Sequence, residues 1–257
     1  MLEAGLWAAL GQSALLAGAL LVARFPKLTE PRWVGLVMAF GAGALISAVT
    51  TDLVAEAYGE AGRAPTGVGL LVGALGYYGV TTWLNRRAER EDPEEPVEEA
   101  AEISDEQMPS GADATAARNL TVGIVLDGIP ESIAIGLTLF AGSVSFALVG
   151  AVFLSTLPEA IGVAAALLAG KVLLGKVLLR FGAIVIVGAL AGAIGYGVLD
   201  ASDTEAIAVI QSIAAGAMVV VIVNEMVPIA VRGAGRHAGL GAAAGFAAAA
   251  FLATVQV

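Results

Sequence analysis

Asp127 and Glu131 lie in LDGIPESIAIGL, and Glu159 lies in FLSTLPEAIGVA. Both segments are otherwise apolar, and a carboxylate inside an apolar run of membrane length is costly, rare and usually functional. Asp127 and Glu131 stand at i and i+4, so on a helix they share a face. Ser155 and Glu159 share a face in the same way, with Thr156 next to Ser155. Each pair encloses a proline one residue before the glutamate. Pro130 and Pro158 have no N–H to offer the carbonyls of Leu126 and Leu154, so each frees a carbonyl near the acids and is expected to kink its helix. A transmembrane helix tolerates this where the freed group faces a cavity or a neighbour. The two segments bring three carboxylates, two hydroxyls and two spare carbonyls. Three like charges in apolar surroundings repel unless bound cations or protons neutralise them. Oxygen-only donors suit hard or borderline divalent ions such as Mn²⁺ or Mg²⁺, whereas Zn²⁺ usually takes some nitrogen or sulfur.

The elements that must position these residues are membrane helices. Hydrophobic residues make up 58% of the 257 and charged residues 14%, against about 25% charged in a soluble domain. The mean hydropathy is +0.86. Apolar stretches recur at 5–23, 33–58, 66–85, 119–140, 144–169, 181–199, 205–230 and 238–257. Each approaches the roughly 20 residues that cross a hydrocarbon core as a helix. In lipid the backbone must satisfy its own hydrogen bonds, so such runs are helices. The expectation is an all-α polytopic bundle of eight spans in a single domain, 1–257. The first run has no basic residue before it and Arg24 after it, so it reads as a retained span rather than a cleaved signal.

The basic residues orient this bundle. With the N-terminus outside, 12 of the 13 Lys and Arg fall on the cytoplasmic side and only Arg63 falls opposite, as the positive-inside rule requires. Glu60, Asp200, Asp203 and Glu205 occupy the outer loops. Both termini are therefore expected outside. Asp127 is nine residues beyond Arg118, roughly 13 Å along a helix at 1.5 Å per residue, which is mid-depth. Glu159, fifteen residues into its run, reaches the same layer. The segment 87–117 is acidic, proline-containing and poor in aromatics; eleven of the 23 acids lie between Glu89 and Asp113. It lacks the apolar content to fold alone and reads as a flexible cytoplasmic loop between spans 3 and 4.

A weak internal repeat accompanies these spans. GAGALISAVTTDLVAEA from Gly41 and AAGAMVVVIVNEMVPIA from Ala214 align at a shift of 173 residues, with Gly43 on Gly216, Leu45 on Met218 and Asp52 on Glu225. The two spans run in opposite directions, and inverted repeats of this kind carry transporter sites at their interface. Asp52, Glu56 and Glu225 lie nearer the span ends, where snorkelling or helix capping accounts for them as well as a site does. Gln12 and Gln211 are expected to make interhelical hydrogen bonds, and His237 to be an ordinary interface residue. The chain has no cysteine, which excludes disulfides and thiolate sites. An intramembrane enzyme finds no catalytic set: Asp127 has no aspartyl partner in a protease motif, and histidine pairs and Ser/His sets are missing.

These features resemble the ZIP (Zrt/Irt-like) metal transporters, particularly compact bacterial-type members. The resemblance covers essentially the whole chain: eight spans, outside termini and a long loop between spans 3 and 4. Family members carry H-N-x-P-E-G in span 4 and a similar motif in span 5. Here those positions are Asp127-Gly128-Ile129-Pro130-Glu131-Ser132 and Ser155-Thr156-Leu157-Pro158-Glu159-Ala160. Aspartate and serine stand where the family has histidines, and Gly128 and Thr156 where it has asparagines. The resemblance implies a carrier in the plasma membrane moving divalent metal ions of the Zn, Fe or Mn class into the cytoplasm. By position, Asp127, Glu131, Ser155, Thr156 and Glu159 would line its metal site. Leu45 falls where some members have a methionine ligand, and Asn224 and Glu225 where members pass metal toward the inner exit. It implies lipid and metal ions as partners, admits a homodimer, and calls for no nucleic acid or organic cofactor. The alternative is a non-transporting metal-binding or sensing protein that retains the fold.

Overall fold

The computed structural model describes residues 1–25, 27, 30–91, 114–169, 171–199 and 203–255. The acidic loop expected over 87–117 falls outside them from 92 to 113, and the side chain of Asp127 also falls outside. Among the described residues every regular element is helical. They are α1 (Leu2–Gln12), α2 (Ala14–Arg24), α3 (Pro31–Ala48), α4 (Ala55–Ala61), α5 (Arg63–Glu91), α6 (Ala114–Thr138), α7 (Phe146–Ala169), α8 (Leu174–Gly197), α9 (Thr204–Val221), α10 (Val227–Ala234) and α11 (Ala238–Val255).

Helical segments long and apolar enough to cross a membrane run over Leu2–Arg24, Pro31–Ala61, Phe146–Ala165, Leu174–Gly197 and Thr204–Thr254. The last has 51 residues, more than twice a single crossing. It is broken at Gly235, whose φ of 55° suits a residue without Cβ. Gly62, at φ 81°, ends α4 in the same way and turns the chain into α5. Large apolar side chains point outward in rows. Val68, Leu71, Val72 and Leu75 do so on α5, and Leu179, Ile186, Leu190 and Ile194 on α8. The buried residues are instead dominated by alanine and glycine. Small inside and greasy outside is the pattern of helices whose outer solvent is lipid and whose contacts rest on close packing. The protein is thus an all-helical bundle of membrane type.

Two helices contain a π-helical turn, Val49–Val54 between α3 and α4 and Ile222–Met226 between α9 and α10. In each, an N–H reaches back five residues, from Ala55 to the Thr50 carbonyl and from Val227 to the Ile222 carbonyl. Their causes are local. Pro228 offers no N–H to the carbonyl four residues back, and Thr50 and Thr51 turn their hydroxyls onto the Ile46 and Ser47 carbonyls at 2.7 and 3.0 Å. π turns are rare and concentrate at functional sites. The 173-residue shift carries Val49 onto Ile222, so the two turns begin at matched positions.

The packing repeats with the same spacing. A Cβ on Gly43 would collide with the Ala242 carbonyl, and one on Gly245 with the Phe40 carbonyl, so α3 and α11 touch backbone to backbone. Gly216 stands in the same way against the Leu70 carbonyl, and Gly73 against the Ile213 carbonyl, between α9 and α5. A shift of 173 takes Phe40 and Gly43 to Ile213 and Gly216, and a shift of 172 takes Leu70 and Gly73 to Ala242 and Gly245. Each half therefore supplies its partner helix to the other half.

Candidate functional site

Glu131 lies well inside α6 and is 5% exposed. Two other helices meet its carboxylate. Ser155 of α7 has its hydroxyl 3.3 Å from Oε1, and Gln12 at the end of α1 donates from Nε2 to Oε2 at 3.3 Å. The same Nε2 lies 3.4 Å from the Gly128 carbonyl. The Ser155 hydroxyl is also 2.9 Å from the Val152 carbonyl. One proton cannot serve both acceptors fully, so the hydroxyl is shared between the Glu131 carboxylate and the Val152 carbonyl.

Glycines bring the backbones together here. A Cβ on Gly41 of α3 would lie 2.8 Å from Ser155 Cα and 2.9 Å from the Leu154 carbonyl oxygen, the group that Pro158 leaves without its helical donor. A Cβ on Gly11 would lie 3.0 Å from Ile135 of α6 and 3.3 Å from Val152 of α7. Both α6 and α7 run helically through their prolines.

Of the residues expected to form a site, the structure brings Glu131 and Ser155 together. Thr156 is buried next to Ser155, and Glu159 is half-buried one turn further along α7. Glu225 is half-buried in the second π turn, whereas Asn224 in the same turn is exposed. Among the described residues no three His, Cys, Asp or Glu side chains are grouped closely enough to hold a metal ion; Asp127 lies outside that set. The groups that meet Glu131 from other helices are the Ser155 hydroxyl and the Gln12 amide. Leu45 is fully buried in the core.

The residue that motif reasoning passed over is Gln12. It does hydrogen-bond between helices, as expected, but its partner is the central carboxylate. It is 1% exposed and its Oε1 has no hydrogen-bond partner among the described residues. A buried acceptor left so costs about 1–3 kcal/mol. Ser132 Oγ, next in sequence to Glu131, is also buried and without a partner among them. A glutamine in an otherwise apolar first span was the available signal.

A second polar cluster lies near the first π turn. Asp52 accepts from the Ser145 hydroxyl through Oδ2 and from the Thr51 hydroxyl through Oδ1 at 2.7 Å. Gln211 Nε2 donates to Glu56 Oε2 at 3.2 Å. Asp52 and Glu56 are thus tied to other helices rather than only snorkelling. Ser145 also caps α7, its Oγ accepting from the Leu148 N–H at 3.0 Å. Ser145→Ala removes the cap and the Asp52 partner together. It should cost about 1–2 kcal/mol, read as a lower unfolding temperature in detergent, while Ser143→Ala at a neighbouring exposed position leaves that temperature unchanged.

Searches against protein-family models and against curated proteins find no match for this chain.

Proposed function

We propose that this protein is a carrier of divalent cations, of ZIP type, with eight spans, both termini outside and inward transport across the plasma membrane. The observation that supports it most is Glu131, a carboxylate 5% exposed within an apolar helix and met by polar groups from two other helices. A carboxylate so placed in a membrane helix is costly, rare and usually functional. In this reading Glu131, Ser155, Thr156 and Glu159, joined by Asp127, hold the ion, and Asn224 and Glu225 line its way to the cytoplasm. The matched π turns and interlocked glycine contacts support a repeat-based carrier, in which one bundle rocks against the other around a fixed site.

The deciding experiment is uptake into proteoliposomes with a panel of Mn²⁺, Fe²⁺, Zn²⁺ and Mg²⁺. Saturable uptake of at least one divalent ion is expected. Metal binding without flux would instead favour a non-transporting sensor that keeps the fold. The topology has its own test, made simple by the absence of native cysteine. In whole cells, a membrane-impermeant thiol reagent should label Glu60→Cys, and should label Ala100→Cys only after the membrane is opened. The reverse result would overturn the orientation.

A further inference from the structure

Gln12 presents its carboxamide to Glu131 in one sense only. Nε2 faces two acceptors, Glu131 Oε2 and the Gly128 carbonyl. Turning the amide over would set three oxygens against one another. Oε1 is therefore directed away from those acceptors, yet it stays on the carbon that carries the amide to the carboxylate. It is buried and has no partner among the described residues.

The surrounding helices are cut back to admit this amide. A Cβ on Gly128 would lie 3.1 Å from both Nε2 and Oε1. A Cβ on Gly188 of α8 would lie 3.0 Å from Gln12 Cγ and 2.8 Å from the Ser132 hydroxyl. Two bare positions on two helices, and two polar atoms beside them without a partner among the described residues, are more than an interhelical hydrogen bond needs. An amide that only tied α1 to α6 would have no use for an oxygen left without a partner among the described residues beside a carboxylate.

We infer that Gln12 is an oxygen ligand for the cation, supplied by the first helix, and that it biases the site toward hard ions. The inference rests on the carrier reading of Glu131. An amide oxygen adds a strong dipole without a fourth negative charge, which suits Mn²⁺, Mg²⁺ or Ca²⁺ more than Zn²⁺, whose sites favour nitrogen and sulfur. The amide N–H at the same time holds one carboxylate oxygen of Glu131 in place, as groups behind a ligand commonly do.

The test is Mn²⁺ binding to the purified full-length protein, followed by electron paramagnetic resonance, with Mn²⁺ and Zn²⁺ uptake measured alongside. Gln12→Met keeps the length of the side chain and removes its oxygen; Mn²⁺ binding should weaken about tenfold or more. Gln12→His should raise the Zn²⁺-to-Mn²⁺ uptake ratio by a similar factor, about tenfold. Gln12→Ala combined with Gly128→Asn returns an amide to the same space from α6, and should recover most of the binding that Gln12→Ala loses. A glutamine acting only through its N–H would leave the ion ratio unmoved. Wild-type Mn²⁺ binding in Gln12→Met, with binding lost in Glu131→Gln, would overturn the inference and leave the carrier reading standing. Wild-type binding in Glu131→Gln would remove the reading on which both depend. Should Gln12→Met fail to fold, the histidine variant and the rescue pair decide.

Discussion

Glu131→Gln is expected to abolish cation uptake while leaving the bundle as stable as the wild type, or more so. The two effects have separate causes. The glutamine keeps the volume of the side chain and can still accept from Gln12 Nε2 or Ser155 Oγ, the two groups that meet Glu131 across helices. It removes a charge from a site that is 5% exposed, and neutralising a buried charge spares its desolvation. In the proposed carrier, a cation loses its anionic partner by the same change. Truncating one side of a buried charge pair costs about 2–5 kcal/mol, so affinity should fall on the order of 100-fold, at 1.4 kcal/mol per factor of ten. The measurement is Mn²⁺ uptake in proteoliposomes together with thermal unfolding in detergent. Loss of uptake accompanied by a fall in stability would point to a structural role. Retained uptake would remove Glu131 from the ion's path.

Gly43→Ala is expected to destabilise the bundle strongly although it adds one methyl group. In a water-exposed helix the same change would stabilise by up to about 1 kcal/mol, through backbone entropy and helix propensity. Here the new Cβ would collide with the Ala242 carbonyl of α11. Backbone cannot rotate away as a side chain tip can, so the two helices must separate and lose contacts along their shared length. Overpacking of this kind costs typically about 1–3 kcal/mol, and more where two backbones are involved. Gly216→Ala, against the Leu70 carbonyl, should behave alike because it occupies the matched contact between α9 and α5. Gly76→Ala is the internal control, since a Cβ there meets nothing within 4 Å. Unfolding temperatures in a mild detergent decide the matter: the first two should fall and the third should hold or rise. Equal behaviour of all three would mean that the glycine contacts do not hold the helices together.

The acids were visible because a carboxylate is conspicuous in an apolar run, and Pro130 and Pro158 marked where helical carbonyls lose their donors. The shift that aligned Gly43 with Gly216 was readable as an inverted repeat, but the helices those glycines pack against were not. The π turns were not readable. Thr50, Thr51 and Pro228 supply local causes, yet each residue type also occurs in ordinary helices, and in segments this uniformly apolar the phase shift made by an extra residue has no polar stripe to show it. Gln12 was visible as a residue, but its partner 119 positions away was not, because a hydrogen bond between helices depends on how they are rotated about their own axes.

What the sequence by itself determined is the class of the molecule. Long apolar runs with few charges can satisfy their backbones only as helices, and buried acids among them mark where charge must be answered. What only the tertiary structure decided is who answers it. Helix pairing depends on which bare backbones can approach, and here Gly43 and Gly245 join α3 to α11 while Gly73 and Gly216 join α5 to α9. The same close packing brings α1 against α6 and α7, so that Glu131 meets an amide from Gln12 and a hydroxyl from Ser155. Neither contact follows from spacing along the chain, since each requires the helices to be in place first.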